Sequence, residues 1–153
     1  NGLKEGMKNM FKKMGIRKFI KEIDKDIKVK FQKYDMECDI FEEIVYIGKP
    51  YDKENDRRFG EFVKELNPAC DAPVFLLSIL HEVGHIMTYE EDALKEKDFL
   101  YAAIDLKLQS GEDEEECVKE YFRIPLEKAA TEWAIDFAMS NPQLIEKYKW
   151  LCR

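Results

Sequence analysis

The chain has 153 residues, 45% hydrophobic and 37% charged, which suits one compact domain with a true core under a well-solvated surface. Its net charge of −7 is uneven: residues 1–30 carry ten Lys/Arg against four Asp/Glu, and the remainder carries 15 against 28. The bulk of the protein, at −13, therefore repels nucleic acid, and only the N-terminal segment, at +6, can meet something anionic. No apolar run approaches the ~20 residues of a bilayer span, and lysines interrupt every apolar stretch near the N-terminus, so no signal-peptide pattern is present there.

Leu3, Met7, Met10, Phe11 and Met14 fall at helical spacing between lysines. Residues 1–24 thus form a basic amphipathic helical segment, with Gly15 as an expected break before a second stripe of Ile16, Phe19, Ile20 and Ile23. Such a segment suits a membrane surface or a partner, but a Met/Phe stripe more often packs on its own domain. "IKVKFQKY" alternates as a half-buried strand, and "EEIVYIGKP" reads as a second strand ended by Gly48 and Pro50. The "DMECDIF" between them has room for a bulge or a short third strand, so a small antiparallel sheet of two to three strands is expected.

Beyond Pro50 the chain reads as helical, giving an α+β class that is mainly helix. A short helix is expected over residues 55–66, stopped at Asn67-Pro68. Asp71 is the expected cap of the next, with Pro73 in its first turn. From Val74 to Met87 that helix is apolar almost all round, which predicts a central, buried position. Further helices are expected over 92–108, from Pro125 to Ala138 and around Tyr148 and Trp150, with "SGEDEEE" as a solvated acidic turn.

The central helix carries "HEVGH", and His81 and His85 are the only two histidines in the chain. Residues i and i+4 share a helix face, so both imidazoles can reach one ion, and zinc favours such nitrogen ligands. Glu82 is rotated out of that shell but can hydrogen-bond a water on the ion, which is the place of a general base. Two buried imidazoles and a carboxylate without a metal would each need polar partners inside an apolar helix. Gly84 allows another element to pack close beside the ligands.

A catalytic zinc site needs a third protein ligand. Glu91 stands where an extended H-E-x-x-H-x-x-G-x-x-H pattern has its third histidine, but Thr88 replaces the glycine. Cys70, before the Asp71 cap, lacks a supporting motif. The favoured candidate is Glu132 in "PLEKAATEWAIDFAMS", with Asp136 four residues on as a carboxylate that orients a ligand histidine. Small residues Ala129, Ala130, Ala134 and Ala138 allow that helix a close approach, and Glu127 is the reserve ligand. Cys38, Cys70, Cys117 and Cys152 are widely spaced with no C-x-x-C pair, which favours free thiols and a cytoplasmic setting.

With "HEVGH" followed by "TEWAIDFA", the chain resembles zincin metallopeptidases of the glutamate-ligand group, and in particular the compact ImmA/IrrE-like peptidase domain, over roughly residues 27–140. The resemblance implies a zincin-like fold, Zn2+ on His81, His85 and Glu132, and Glu82 as the catalytic base. It also implies an intracellular protein, often carried by phages or mobile elements, that cleaves a regulatory protein such as a repressor. No third histidine is present to stabilise an oxyanion; Tyr89 is the first option, with Tyr101, Tyr121 and Arg123 behind it. The expected substrate is a protein or peptide, paired to the Ile44–Ile47 strand if that strand is an edge. The competing readings are a non-catalytic module on the same metal scaffold and a hydrolase of a small amide.

Overall fold

The computed structural model describes residues 2–153. Among them the chain forms seven helices, a three-stranded sheet and a closing 3-10 turn: α1 (Gly2–Ile23), β1 (Lys28–Tyr34), β2 (Glu37–Asp39), β3 (Ile44–Lys49), α2 (Lys53–Leu66), α3 (Val74–Thr88), α4 (Glu91–Gln109), α5 (Glu114–Arg123), α6 (Pro125–Ser140) and α7 (Pro142–Tyr148), then Lys149–Cys152. No described helix is long and apolar enough to cross a membrane.

The sheet is mixed, not antiparallel. Its order is β1-β3-β2, with β1 parallel to β3 and β2 antiparallel to it. Alternation assigns faces to a strand but carries no information on its neighbour's direction; here the connections decide. The Asp39 carboxylate accepts from the amides of Phe41 and Glu42, and Glu43 takes φ 53°, folding β2 tightly back along β3. The turn at Asp35 (φ 64°) has already carried the chain across, leaving β1 on the other side of β3. The Ile44–Ile47 strand is therefore interior and is not the expected substrate-pairing edge; β1 and β2 are the edges.

α3 runs through the core, as its all-round apolarity predicts. Leu76, Leu77, Ile79, Leu80 and Val83 are at most 1% exposed, and each such burial contributes on the order of 1.5–3 kcal/mol. Val29, Val45 and Ile47 of the sheet, Phe19 and Ile20 of α1, and Ala134, Ile135 and Ala138 of α6 join the same core. Asp71 is not the cap of α3: Pro73 occupies that position without a side-chain bond, and Asp71 is exposed.

α3 and α6 pack very closely. A Cβ on Gly84 would lie 2.6 Å from the Ala130 carbonyl oxygen, so glycine is what lets the two backbones meet. Gly15 does not break α1; the Trp150 ring sits where its Cβ would be, 2.6 Å away. A second small core of Ile104, Cys117, Ile124 and Leu126 lies beneath α4 and α5. These two helices form one wall of a cavity whose other walls are α2, α3 and the sheet end.

Candidate metal centre

His81 and His85 project from one face of α3, their ring centres 4.6 Å apart. Both meet Glu127 on the first turn of α6: its Oε2 lies 2.8 Å from His81 Nε2 and 3.1 Å from His85 Nε2. The potential ligand atoms of these three residues all lie within 4.8 Å of one another, a group that could hold a metal ion. A tetrahedral ion with bonds of ~2.0–2.1 Å separates its ligands by roughly 3.3 Å. The two Glu127–histidine spacings, 2.8 and 3.1 Å, are a few tenths of an ångström tighter, so the carboxylate would have to draw back slightly to admit an ion. Among the described residues His85 Nδ1 is buried with no hydrogen-bond partner, an orphan that burial penalises.

The surroundings orient each member. His81 Nδ1 lies 2.9 Å from Thr131 Oγ1, and that hydroxyl donates to the Glu127 carbonyl at 3.1 Å. The Phe59 ring packs edge-on against His81. The other oxygen of Glu127, Oε1, accepts from the Tyr101 hydroxyl at 2.7 Å and from the Tyr121 hydroxyl at 3.2 Å. Burial alone would raise the pKa of Glu127, but the hydrogen bonds from His81 and His85 outweigh it and hold the carboxylate far below its usual range. Burial likewise opposes charge on His85, yet its bond to Glu127 prevails and raises its pKa. Burial and the Glu127 charge push both tyrosine hydroxyls up, so they remain donors.

Glu82 lines the cavity beside His81 and Glu127. Burial raises its pKa, partly countered by the neighbouring histidines, and Cys38 of β2 lies close by. The cavity has a volume of about 400 Å³. Its lining mixes aromatic rings (Phe59, Phe122) with two acids outside the trio (Asp56, Asp105).

The predicted histidines and Glu82 thus lie together, while the predicted third ligand does not join them. Glu132 faces water, 3.9 Å from Lys128 and 54% exposed, in a shallow depression with Asp136 near the end of α2. At ~100° per residue, Glu132 is rotated about 140° from Glu127 around α6; the reserve candidate holds the position. Asp136 is exposed and orients neither histidine. Tyr89 lies beyond the last residue of α3, 45% exposed against Phe41, and does not line the cavity. Arg123 pairs with Glu65 on the surface. Glu91 is exposed in a pair with Lys95, and Cys70 is buried in the main core.

Thr131 and Cys38 escaped the sequence reading. Thr131 was legible in principle. The buried set of α6 is Leu126, Glu127, Ala130, Thr131, Ala134, Ile135 and Ala138, a single stripe at i, i+3, i+4 and i+7 on which Glu127 is the sole carboxylate. Comparison with known proteins gives no match among protein-family models, curated proteins or solved structures.

Proposed function

We propose that the protein is a zinc-dependent metallopeptidase of the glutamate-ligand zincin type, with His81, His85 and Glu127 as ligands and Glu82 as general base. The observation that carries this reading is the convergence of both imidazoles of an H-E-x-x-H helix on one buried carboxylate. Held by His81, His85 and Glu127, zinc would supply Lewis acidity and make a water acidic enough to lose its proton near pH ~7. Glu82, its pKa raised by burial, takes the proton from the attacking water and passes it to the leaving amine. Thr131 holds the His81 ring, and Tyr101 and Tyr121 hold Glu127. Tyr121 also lines the cavity, and its hydroxyl, once released from Glu127, would be a donor for a developing oxyanion. An extended peptide would pair with β2, an edge strand that carries Cys38 beside Glu82. The free cysteines suit a cytoplasmic enzyme acting on a regulatory protein.

The test is zinc binding by titration calorimetry alongside cleavage of a diverse peptide library followed by mass spectrometry. Glu82→Gln is expected to bind zinc as the parent does and to lose cleavage; cleavage by that variant rejects the mechanism. A second reading keeps the metal and drops the chemistry, favoured by the engagement of both tyrosine hydroxyls on Glu127. Its mark is a parent chain that binds zinc and leaves the whole library intact.

A further inference from the structure

α1 has two apolar stripes on opposite sides. Ile16, Phe19 and Ile20 are buried against the domain. Leu3, Met7, Met10, Phe11 and Met14 are exposed by 76, 48, 51, 52 and 49%. At ~100° per residue the second set spans an arc of about 100°, centred roughly 170° from the first. No rotation of the helix about its axis would bury both on this domain. Contacts with the body fix the rotation it has: Gly15 against the Trp150 ring, Lys12 over the Phe75 ring, and Lys13 and Arg17 over the Phe31 ring, with Arg17 donating to the Val29 carbonyl. The N-terminal stripe is thereby turned away from the body.

The charges follow the same division. Residues 2–14 carry four lysines and one glutamate, a net +3. On the helical projection Lys4 and Lys8 flank one edge of the stripe, and Lys13, exposed with its ammonium over the Phe31 ring, lies beyond the other. We infer that the N-terminal half of α1 is a docking surface for an anionic phospholipid bilayer. Leu3, Met7, Met10, Phe11 and Met14 enter the headgroup boundary, and the flanking lysines reach the lipid phosphates. Lysines on both flanks match a bilayer, where phosphates surround a sunken stripe on either side. Pairing of two α1 stripes would instead set like charges against each other. The acidic body is no obstacle, because it lies across the helix from the stripe. A helix diameter of ~10–12 Å exceeds the Debye length of about 8 Å at physiological salt.

The experiment is flotation of the full chain with vesicles of phosphatidylcholine alone and with about one-quarter phosphatidylglycerol, at about 0.1 M salt. Expected is binding at least about tenfold stronger to the anionic vesicles, reduced severalfold at about 0.5 M salt. Met7→Glu/Phe11→Glu should abolish it, with circular dichroism unchanged because both side chains are exposed. Failure to bind anionic vesicles, or equal binding by the double variant, overturns the inference and leaves the stripe to a protein partner. So does sedimentation of the lipid-free chain as a dimer that Met7→Glu/Phe11→Glu splits.

Discussion

The two edges of α6 differ more than their sequences suggest. On one, Glu127 and Thr131 stand one turn apart, buried; Glu127 bonds two imidazoles and two phenols, and Thr131 meets His81 and the helix backbone. On the other, Glu132 and Asp136 also stand one turn apart, and both face water. A spacing of four says that two groups share a helix face; it is silent on which face. What selects the face is the row of small residues. Ala130, Ala134 and Ala138 lie on the Glu127 side, and Ala130 meets Gly84 backbone to backbone.

The strongest way to break this contrast is to remove each glutamate in turn. Glu127→Ala leaves two imidazoles and two hydroxyls without their shared acceptor. Loss of one partner from such a buried ionic group costs about 3–5 kcal/mol. Zinc affinity should fall by orders of magnitude, read by competition with a chromogenic chelator. A Glu127→Ala chain that still bound zinc tightly would return the ligand role to the other edge.

Next in size is the contact that brings the edges to their places. In Gly84→Ala the new methyl would lie 2.6 Å from the Ala130 oxygen, so α3 and α6 must part. Overpacking of this kind costs about 1–3 kcal/mol. Because the ligands sit on both helices, zinc affinity should drop together with the melting temperature. An unchanged chemical denaturation midpoint would show that the helices are not held at this distance.

Much of this was open to inspection before any coordinates. The apolar girth of α3 placed it in the core, the alternation of Ile27, Val29 and Phe31 assigned the strand faces, and "HEVGH" located half the site. What stayed hidden depends on long-range partners. The direction of β1 follows from where Asp35 carries the chain, and the rotation of α1 from the Trp150 ring, which lies about 135 residues beyond Gly15. Gly15 reads as a helix breaker only while its neighbour is unknown. "TEWAIDFA" favours Glu132 and leaves Glu127 in reserve, whereas the small residues on their helical period point to Glu127.

A milder perturbation of the buried edge is Thr131→Val, which keeps the shape and deletes the hydroxyl at His81 Nδ1. Loss of a group that orients a ligand typically costs 10–100-fold in metal affinity, and roughly tenfold is expected here. Calorimetry should show this with little change in the metal-free fold.

Acidity gives a graded test of the same edge. The raised pKa of His85 means that the metal-free site holds its proton more tightly than a free imidazole does. Metal must displace that proton, so zinc affinity should weaken by up to about tenfold per pH unit below the raised pKa. Without metal, the signs separate. The His85 contribution to stability is full below its unfolded pKa of ~6.5 and is lost as pH rises through the folded value. The contribution of Glu127 is full above its unfolded ~4.3 and is lost as pH falls through its lowered value. Metal-free stability should therefore carry this pair's full share between about pH 4.3 and 6.5, and the zinc-induced rise in melting temperature should grow towards neutral pH.

The smallest effect belongs to the exposed edge and sharpens the contrast by its absence. Glu132 lies 3.9 Å from Lys128 at i, i+4, with both side chains about half exposed. Water screens such a pair, and ordering two long side chains offsets most of the attraction, leaving at most about 0.5 kcal/mol. Glu132→Gln should thus shift stability by less than that, and added salt should erase the difference. Zinc affinity should match the parent's across the whole pH range, since this carboxylate faces away from both imidazoles. A tenfold loss of zinc on this substitution alone would mean that α6 turns by more than a third of a revolution when metal binds, and the buried stripe through Ala130 and Ala134 opposes such a turn.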